Sequence, residues 1–313
     1  MDTRIERLLA GRRELLKLAC AGALVIAAPA GGTQQTTADL GALLARLERE
    51  SGGRLGVGIV GLQSGLLVGY RLDERFAMCS TFKLLLVALI LIEIQAGRLR
   101  SDTPIQYDAS DMLSYAPVTA QFLERGYMSI AALAEAAQTA SDNVAANLLL
   151  DLIGGPAGFT QKLRAIGDAS TRLDRYEPDM NFVPHGELRD TTTPGAMATT
   201  VHKILCGSML SGENGRNLRA WMQNTRTGLD RLRAGFPEGW RSGDKTGTGI
   251  APGMPNKYND IAVVWPGNSN PGFVIAAYFE ADGEYDDVRD TDVAILRDVG
   301  RIVANRMLSG AIQ

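Results

Sequence analysis

Histidine and cysteine are scarce in this chain: of 313 residues, two are histidine (His185, His202) and three are cysteine. Residues so few and so scattered do not supply the ligand set of most zinc hydrolase sites, and no metal site is expected. If the chain is catalytic, its chemistry must come from Ser, Lys, Glu and backbone amides. An excess of positive charge is also missing, with 32 Lys+Arg against 35 Asp+Glu and a net charge of -3. Without a basic stripe, a nucleic-acid partner is not expected. Long apolar runs are lacking too; the eleven residues from Leu18 to Ala28 fall well short of the ~20 that a spanning helix needs. What remains is 45% hydrophobic and 21% charged, the balance of an ordinary globular chain large enough for two lobes.

The first thirty residues read as an address. Arg12 and Arg13 precede Leu15, Leu16 and Lys17, the apolar run follows, and Ala28-Pro29-Ala30 closes it. A basic start, a short apolar stretch and a small-x-small end describe a cleavable export signal. The paired arginines resemble a twin-arginine signal, which implies export of folded protein. A lipoprotein site at Cys20 is disfavoured, because Lys17 stands where such sites want an aliphatic residue. Cleavage near Ala30 is expected, giving a periplasmic or secreted protein with no membrane association. That cleavage takes away five basic and three acidic side chains, leaving a net charge of -5 and two cysteines, Cys79 and Cys206. Both are expected to be free, buried thiols.

Leucines 40, 43, 44 and 47 follow the spacing of an amphipathic helix. Leu55–Gly61 and Leu66–Tyr70 flank Gln63-Ser64-Gly65 as a hairpin. Near the other end come strand-like runs at Ile261–Trp265 and Phe273–Phe279. A helix follows, carrying Val293, Leu296, Gly300, Val303 and Met307 on one face. The two ends are therefore expected to build one sheet, residues 37–70 joining 224–313 in an α/β lobe, with 71–223 forming an all-helical lobe. Within that middle stretch Phe82–Ile94 is apolar almost all round, so it predicts a buried helix with Ser80 at its N-terminal end.

Ser80-Thr81-Phe82-Lys83 places a hydroxyl and an ammonium at i and i+3 on one helix face. A lysine held dry beside a serine can help to take its proton. Alone, the pattern reads first as an N-cap serine with a solvated lysine, and the buried helix behind it brings the two readings level. Ser141-Asp142-Asn143 precedes the helical run Val144–Ile153, which an ordinary N-cap would also explain. Lys245-Thr246-Gly247-Thr248-Gly249 reads as a turn or strand end, but its lysine and two hydroxyls would also suit a carboxylate.

In this order and at these separations, the three triplets resemble those of class A serine β-lactamases, over about residues 37–310. Arg175-Tyr176-Glu177-Pro178-Asp179-Met180-Asn181 resembles the class A loop that carries the deacylating glutamate, here within about 172–190. The resemblance implies an α/β (α+β) fold with a five-stranded antiparallel sheet flanked by helices, an all-α lobe, and the site between the lobes. It implies hydrolysis of penicillins and cephalosporins, with antibiotic resistance as the outcome. The implied nucleophile is Ser80, with Lys83, or Glu177 through a water, as its base. Backbone N–H groups of Ser80 and Thr248 would form the oxyanion hole, and Ser141 would protonate the leaving nitrogen. Asn143 would hold the substrate's amide, Lys245, Thr246 and Thr248 would face its carboxylate, and Tyr115 would wall the pocket. Glu177 and Asn181 would hold the deacylating water, and an Arg175–Asp190 pair would close the loop. Arg231 matches one family position for a carboxylate-binding arginine, since Lys257-Tyr258-Asn259-Asp260 offers none at the other.

Two departures stand out against the family. Cys79 precedes the nucleophile as in carbapenem-hydrolysing members, but the position of its partner cysteine is Gly249, so that bridge is not available. Ile250–Tyr258 is also long for the family, at the pocket's edge. No cofactor is implied, and a monomer acting on a small-molecule β-lactam is expected. The rival readings are a D-Ala-D-Ala peptidase of the penicillin-binding type, against which Glu177 speaks, and a non-catalytic β-lactam sensor.

Overall fold

The computed structural model describes residues 30–207, 209–267 and 271–310. The export signal read at residues 1–30, with Arg12, Arg13 and Cys20, lies outside the described residues up to Ala30. The chain divides into residues 1–35 and a compact unit, Thr36–Gln313, which holds the sheet and both of its cores. Among the described residues, no helix is long and apolar enough to cross a membrane.

Helix α1 (Ala30–Ser51) leads into strands β1 (Arg54–Gly61) and β2 (Leu67–Tyr70). A short strand β3 (Phe76–Ala77) precedes the buried helix α2 (Phe82–Gln95). Then come β4 (Pro104–Gln106), β5 (Tyr127–Ser129), α3 (Ile130–Thr139), α4 (Asn143–Asp151), α5 (Gly155–Ala165), β6 (Thr191–Thr192), α6 (Pro194–Cys206) and α7 (Gly212–Gln223). The chain closes with β7 (Arg241–Gly249), β8 (Lys257–Trp265), β9 (Phe273–Glu280) and α8 (Asp290–Leu308).

Both ends of the chain do build one sheet. Its order is β2-β1-β9-β8-β7, antiparallel throughout, and β1 pairs with β9 from Arg54↔Glu280 to Gly61↔Phe273. Alternate side chains serve two cores, as the period of two requires. Ala262 and Val264 join Leu40, Leu44, Leu296 and Val303 beneath α1 and α8. Ile261 and Val263 point the other way, into the large core that surrounds α2. Residues Phe82 to Leu91 of α2 are all buried, as its unbroken apolar run predicts. The middle stretch is dominated by helices and adds two small ribbons, β3 with β6 and β4 with β5.

One thiol departs from expectation. Both described cysteines are free and Cys79 is buried, but Cys206 is exposed, being the last residue of α6, where the chain leaves the helix in an extended conformation at Gly207.

Candidate active site

Ser80 sits in a single 3-10 turn, Cys79–Thr81, that feeds directly into α2. Three features fix this turn. The helix behind it is buried all round. Asn259 on β8 donates from Nδ2 to the carbonyls of Ala77 and Met78, at 2.9 and 3.0 Å. Gly247 on β7 lets the turn lie against the strand, since a Cβ there would stand 2.7 Å from Met78 O. Cys79 is held at φ +45, a left-handed conformation that costs energy for a non-glycine residue.

One helical turn on, Lys83 Nζ donates to Ser80 Oγ at 3.0 Å, to Ser141 O at 2.8 Å and to Asn143 Oδ1 at 2.5 Å. Its ammonium also lies 2.9 Å from Glu177 Oε1, both side chains being wholly buried. Ser80 Oγ donates to that same carboxylate oxygen at 3.2 Å, which closes a triangle of hydroxyl, ammonium and carboxylate.

Glu177 is brought here by its loop, and the loop is tied at both ends. Asp190, wholly buried, accepts from Arg175 Nε at 2.6 Å and from the backbone N–H groups of Asp174 and Arg175 at 2.7 and 3.0 Å. Burial pushes the Asp190 carboxyl up, and these donors oppose that push. At the glutamate itself, Asn147 of α4 grips the backbone both ways: Nδ2 donates to Glu177 O at 2.9 Å, and Oδ1 accepts from Glu177 N at 3.0 Å. Asn181 donates from Nδ2 to Glu177 Oε2 at 2.5 Å. Its Oδ1 is buried without a hydrogen-bond partner among the described residues.

The second triplet turns a corner in front of α4. Asp142 is the N-cap, accepting from Ala145 N at 2.9 Å, and its other oxygen accepts from Val118 N and Thr119 N. Ser141 is thereby held at φ +59, with its carbonyl on Lys83. Asn143 N donates to Tyr115 O at 3.0 Å, which sets Tyr115 beside the triplet as a residue 48% exposed. The capping explanation of Ser141-Asp142-Asn143 is thus correct for Asp142, while the residues on either side face Lys83.

Lys245 projects from β7 and donates to Ser141 Oγ at 3.0 Å and to Thr246 O at 2.8 Å. Burial drives the Lys245 ammonium well below its ordinary value, and the nearby charge of Lys83 adds to the effect. Burial also lowers Lys83, against the pull of Glu177. Two partly destabilised cations flanking Ser141 make this corner receptive to an anion.

Arg231 is buried behind the strand. It donates from Nη1 to Gly247 O and Asn259 O at 2.9 and 2.8 Å, and from Nη2 to Thr248 Oγ1 at 2.6 Å. Its guanidinium therefore meets the site through Thr248. Thr246 is held in turn by Thr227, hydroxyl to hydroxyl at 2.7 Å. No group of three or more His, Cys, Asp or Glu side chains placed to hold a metal occurs among the described residues.

All the site residues singled out in the sequence converge on this one place. Sequence reading missed Asn147, Asn259 and Thr227, whose partners lie far along the chain. Only Asn147 carries a signal, standing four residues beyond Asn143 on the same face of α4. At the departure from the family, a Cβ on Gly249 would lie 2.9 Å from Cys79 Sγ. Burial pushes that thiol up to about 12.

Known proteins resemble this chain along most of its length. The family described as the beta-lactamase enzyme family matches residues 39–307. Beta-lactamase AST-1 of Nocardia asteroides is 40% identical over 308 residues, covering 95% of this chain and 96% of its own. The carbapenem-hydrolyzing beta-lactamase KPC of Klebsiella oxytoca is 41% identical over 242 residues, 77% of this chain and 81% of its own. Among solved structures, an ancestral class A beta-lactamase superposes with a TM-score of 0.80 at 46% identity, covering 85% of this chain and 99% of that one. With a matching family across nearly the whole compact unit and a buried Ser–Lys–Glu triangle at its centre, the chain belongs to the class A serine β-lactamases.

Proposed function

We propose that Ser80 attacks the β-lactam carbonyl and that a water activated by Glu177 releases the acyl group. These are the two steps by which this class A enzyme hydrolyses its substrates and confers resistance. The observation that carries the reading is the triangle of Ser80 Oγ, Lys83 Nζ and Glu177 Oε1, with sides of 3.0, 2.9 and 3.2 Å. Ser80's proton has both the lysine and the carboxylate within transfer distance. The Oγ–carbon bond forms as the ring carbon–nitrogen bond breaks, and Ser141 Oγ delivers a proton to the departing nitrogen. Lys245, 3.0 Å from that hydroxyl, favours its proton loss and re-supply.

The substrate carboxylate sits against Lys245, Thr246 and Thr248, with Arg231 adding charge through Thr248. Asn143 commits Oδ1 to Lys83, so its Nδ2 is the group that meets the substrate's amide carbonyl. The N–H groups of Ser80 and Thr248 hold the developing oxyanion, a contact whose loss costs ~2.7–4 kcal/mol in such sites. Tyr115 walls the opening. In the second step, Glu177 Oε2 and the unpartnered Asn181 Oδ1 offer two acceptors to one water, and its attack on the acyl carbon regenerates Ser80. The enzyme is exported, a reading supported by the Arg12-Arg13 pair and the apolar run after it and testable by sequencing the N-terminus of the secreted product; it acts as a monomer, which its mass in solution tests.

A time course of chromogenic cephalosporin opening tests the cycle, with many equivalents per enzyme expected. A burst of one equivalent that then stops would instead make the protein a sensor or peptidase. In Glu177→Ala, deacylation should slow by about 10²–10⁴-fold and the acyl adduct should accumulate in the intact mass. Rapid turnover by that variant would remove Glu177 from the second step.

A further inference from the structure

The arginines that support the fold are matched by carboxylates: Arg54 with Glu280, Arg71 with Glu48, Arg175 with Asp190, Arg233 with Asp244. Arg216, Arg219 and Arg241 break this pattern. None of the three side chains has an ion-pair or hydrogen-bond partner among the described residues, yet all three line one cavity of about 320 Å³. The rest of its lining is Ala220, Gln223 and Trp265, with no acidic side chain.

The fold creates this gathering. Arg216 and Arg219 stand three apart on α7, hence on one face, where like charges repel. Arg241 is the first residue of β7 and lies opposite Trp265 in register on β8. Gly243 brings helix and strand together, since a Cβ there would meet Met222 Cβ at 2.7 Å and Gln223 N at 2.8 Å. Three cations held around one concavity, in a protein of net charge -3, are a standing electrostatic cost that an anion would relieve. The planar fork of a guanidinium matches a pair of oxygens on phosphate or sulfate. The volume is at the small end of ligand sites and exceeds what a bare oxyanion fills. Trp265, half-buried, offers an aromatic surface for the remainder. Arg241 and Lys245 stand four positions apart on β7, about 13 Å of strand, so this place is distinct from the β-lactam site.

We propose that the cavity between α7 and the β7–β8 strand ends binds a small organic phosphate or sulfate. Its oxyanion sits among Arg216, Arg219 and Arg241, and its apolar part lies on Trp265. The test is a titration of the mature enzyme with phenyl phosphate and, separately, inorganic phosphate, with chloride holding ionic strength constant. Tryptophan fluorescence and the thermal midpoint are the two readouts. Phenyl phosphate should give a saturable change in both and bind more tightly than inorganic phosphate. The double variant Arg219→Gln/Arg241→Gln should weaken it by about tenfold or more while β-lactam turnover stays unchanged. Trp265→Phe should remove the fluorescence change and leave a smaller thermal shift. Should the double variant fail to fold, the single exposed substitution Arg216→Gln carries the same expectation of weakened binding. A response that rises linearly without saturating, or that is equal in the arginine variants, would overturn the site. Equal affinity for the two phosphates would overturn the role given to Trp265.

Discussion

The two faces of strand β7 solve opposite problems with alternate residues. One face carries Gly243, Lys245, Gly247 and Gly249: a lone lysine among glycines, packed so closely that a Cβ at any of the glycines would meet a neighbour within 3 Å. That bareness is what lets the Ser80 turn and α7 lie directly on the strand. The other face carries Asp244, Thr246 and Thr248, each held by a side chain from the segment after α7. Arg233 takes Asp244 at 3.0 Å, Thr227 takes Thr246, and Arg231 takes Thr248. Position on the bare face comes from excluded volume, and on the other from directed polar contacts. The strand that carries the third motif is therefore aimed from behind as well as packed from in front.

The largest disturbance should come from filling the bare face. Gly247→Val would drive a branched side chain into Met78 O, and we expect a loss of more than about 4 kcal/mol, read as failure to fold or a collapsed thermal midpoint. Next is the polar face. Arg233→Ala leaves Asp244 buried without its partner and should cost about 3 kcal/mol in chemical denaturation, with Asp244→Asn on the same background restoring most of it. Sharpening the bare face should do the reverse. Gly249→Cys sets a Cβ 2.9 Å from Cys79 Sγ, the reach of a disulfide. Under oxidising conditions the product should lose two hydrogens and gain about 2–4 kcal/mol, reversed by reductant.

The smallest effect is a pH slope. Asp260, on the strand next to Asp244, is raised to about 6 by burial, against the charges of Arg231, Arg233 and Lys245. In the unfolded chain it ionises near pH ~4. Between about pH 4 and 6 the folded protein thus binds the extra proton, and stability falls as pH rises through that window; above it the penalty is constant. Asp260→Asn should flatten this part of the midpoint-versus-pH curve, and an unchanged slope would place the titration elsewhere.

The same strand shows what was legible in the sequence and what was not. Helices α1, α2 and α8 follow from apolar spacing, because their faces meet cores that want the same period. Strands β8 and β9 follow from β-branched and aromatic runs. Strand β7 reads as a turn or strand end, since Gly-x-Lys-x-Gly-x-Gly has no apolar alternation; here glycine does by absence what valine does elsewhere by filling. Ser80 and Lys83 could be paired because residues three apart share a helix face, whereas the other two triplets were legible through their resemblance to the family's motifs. Asn259, Asn147 and Thr227 were not, because each acts on a backbone or hydroxyl that only the tertiary fold brings near. Arg231 was found as a charge, but its geometry behind Thr248 depends on Gly247 O and Asn259 O, which sequence does not locate.

The pairing of β1 with β9 has a consequence for how the protein comes into being. Arg54 meets Glu280 across the sheet, so a chain emerging from the ribosome holds its first long strand unpaired on that side until nearly all of it has been made. Contacts so distant in sequence form late and slowly. The Ser80 turn, which leans on β7 and β8, cannot be braced before then. Assembly of the reactive centre is in effect a final inspection that a chain truncated before β9 fails.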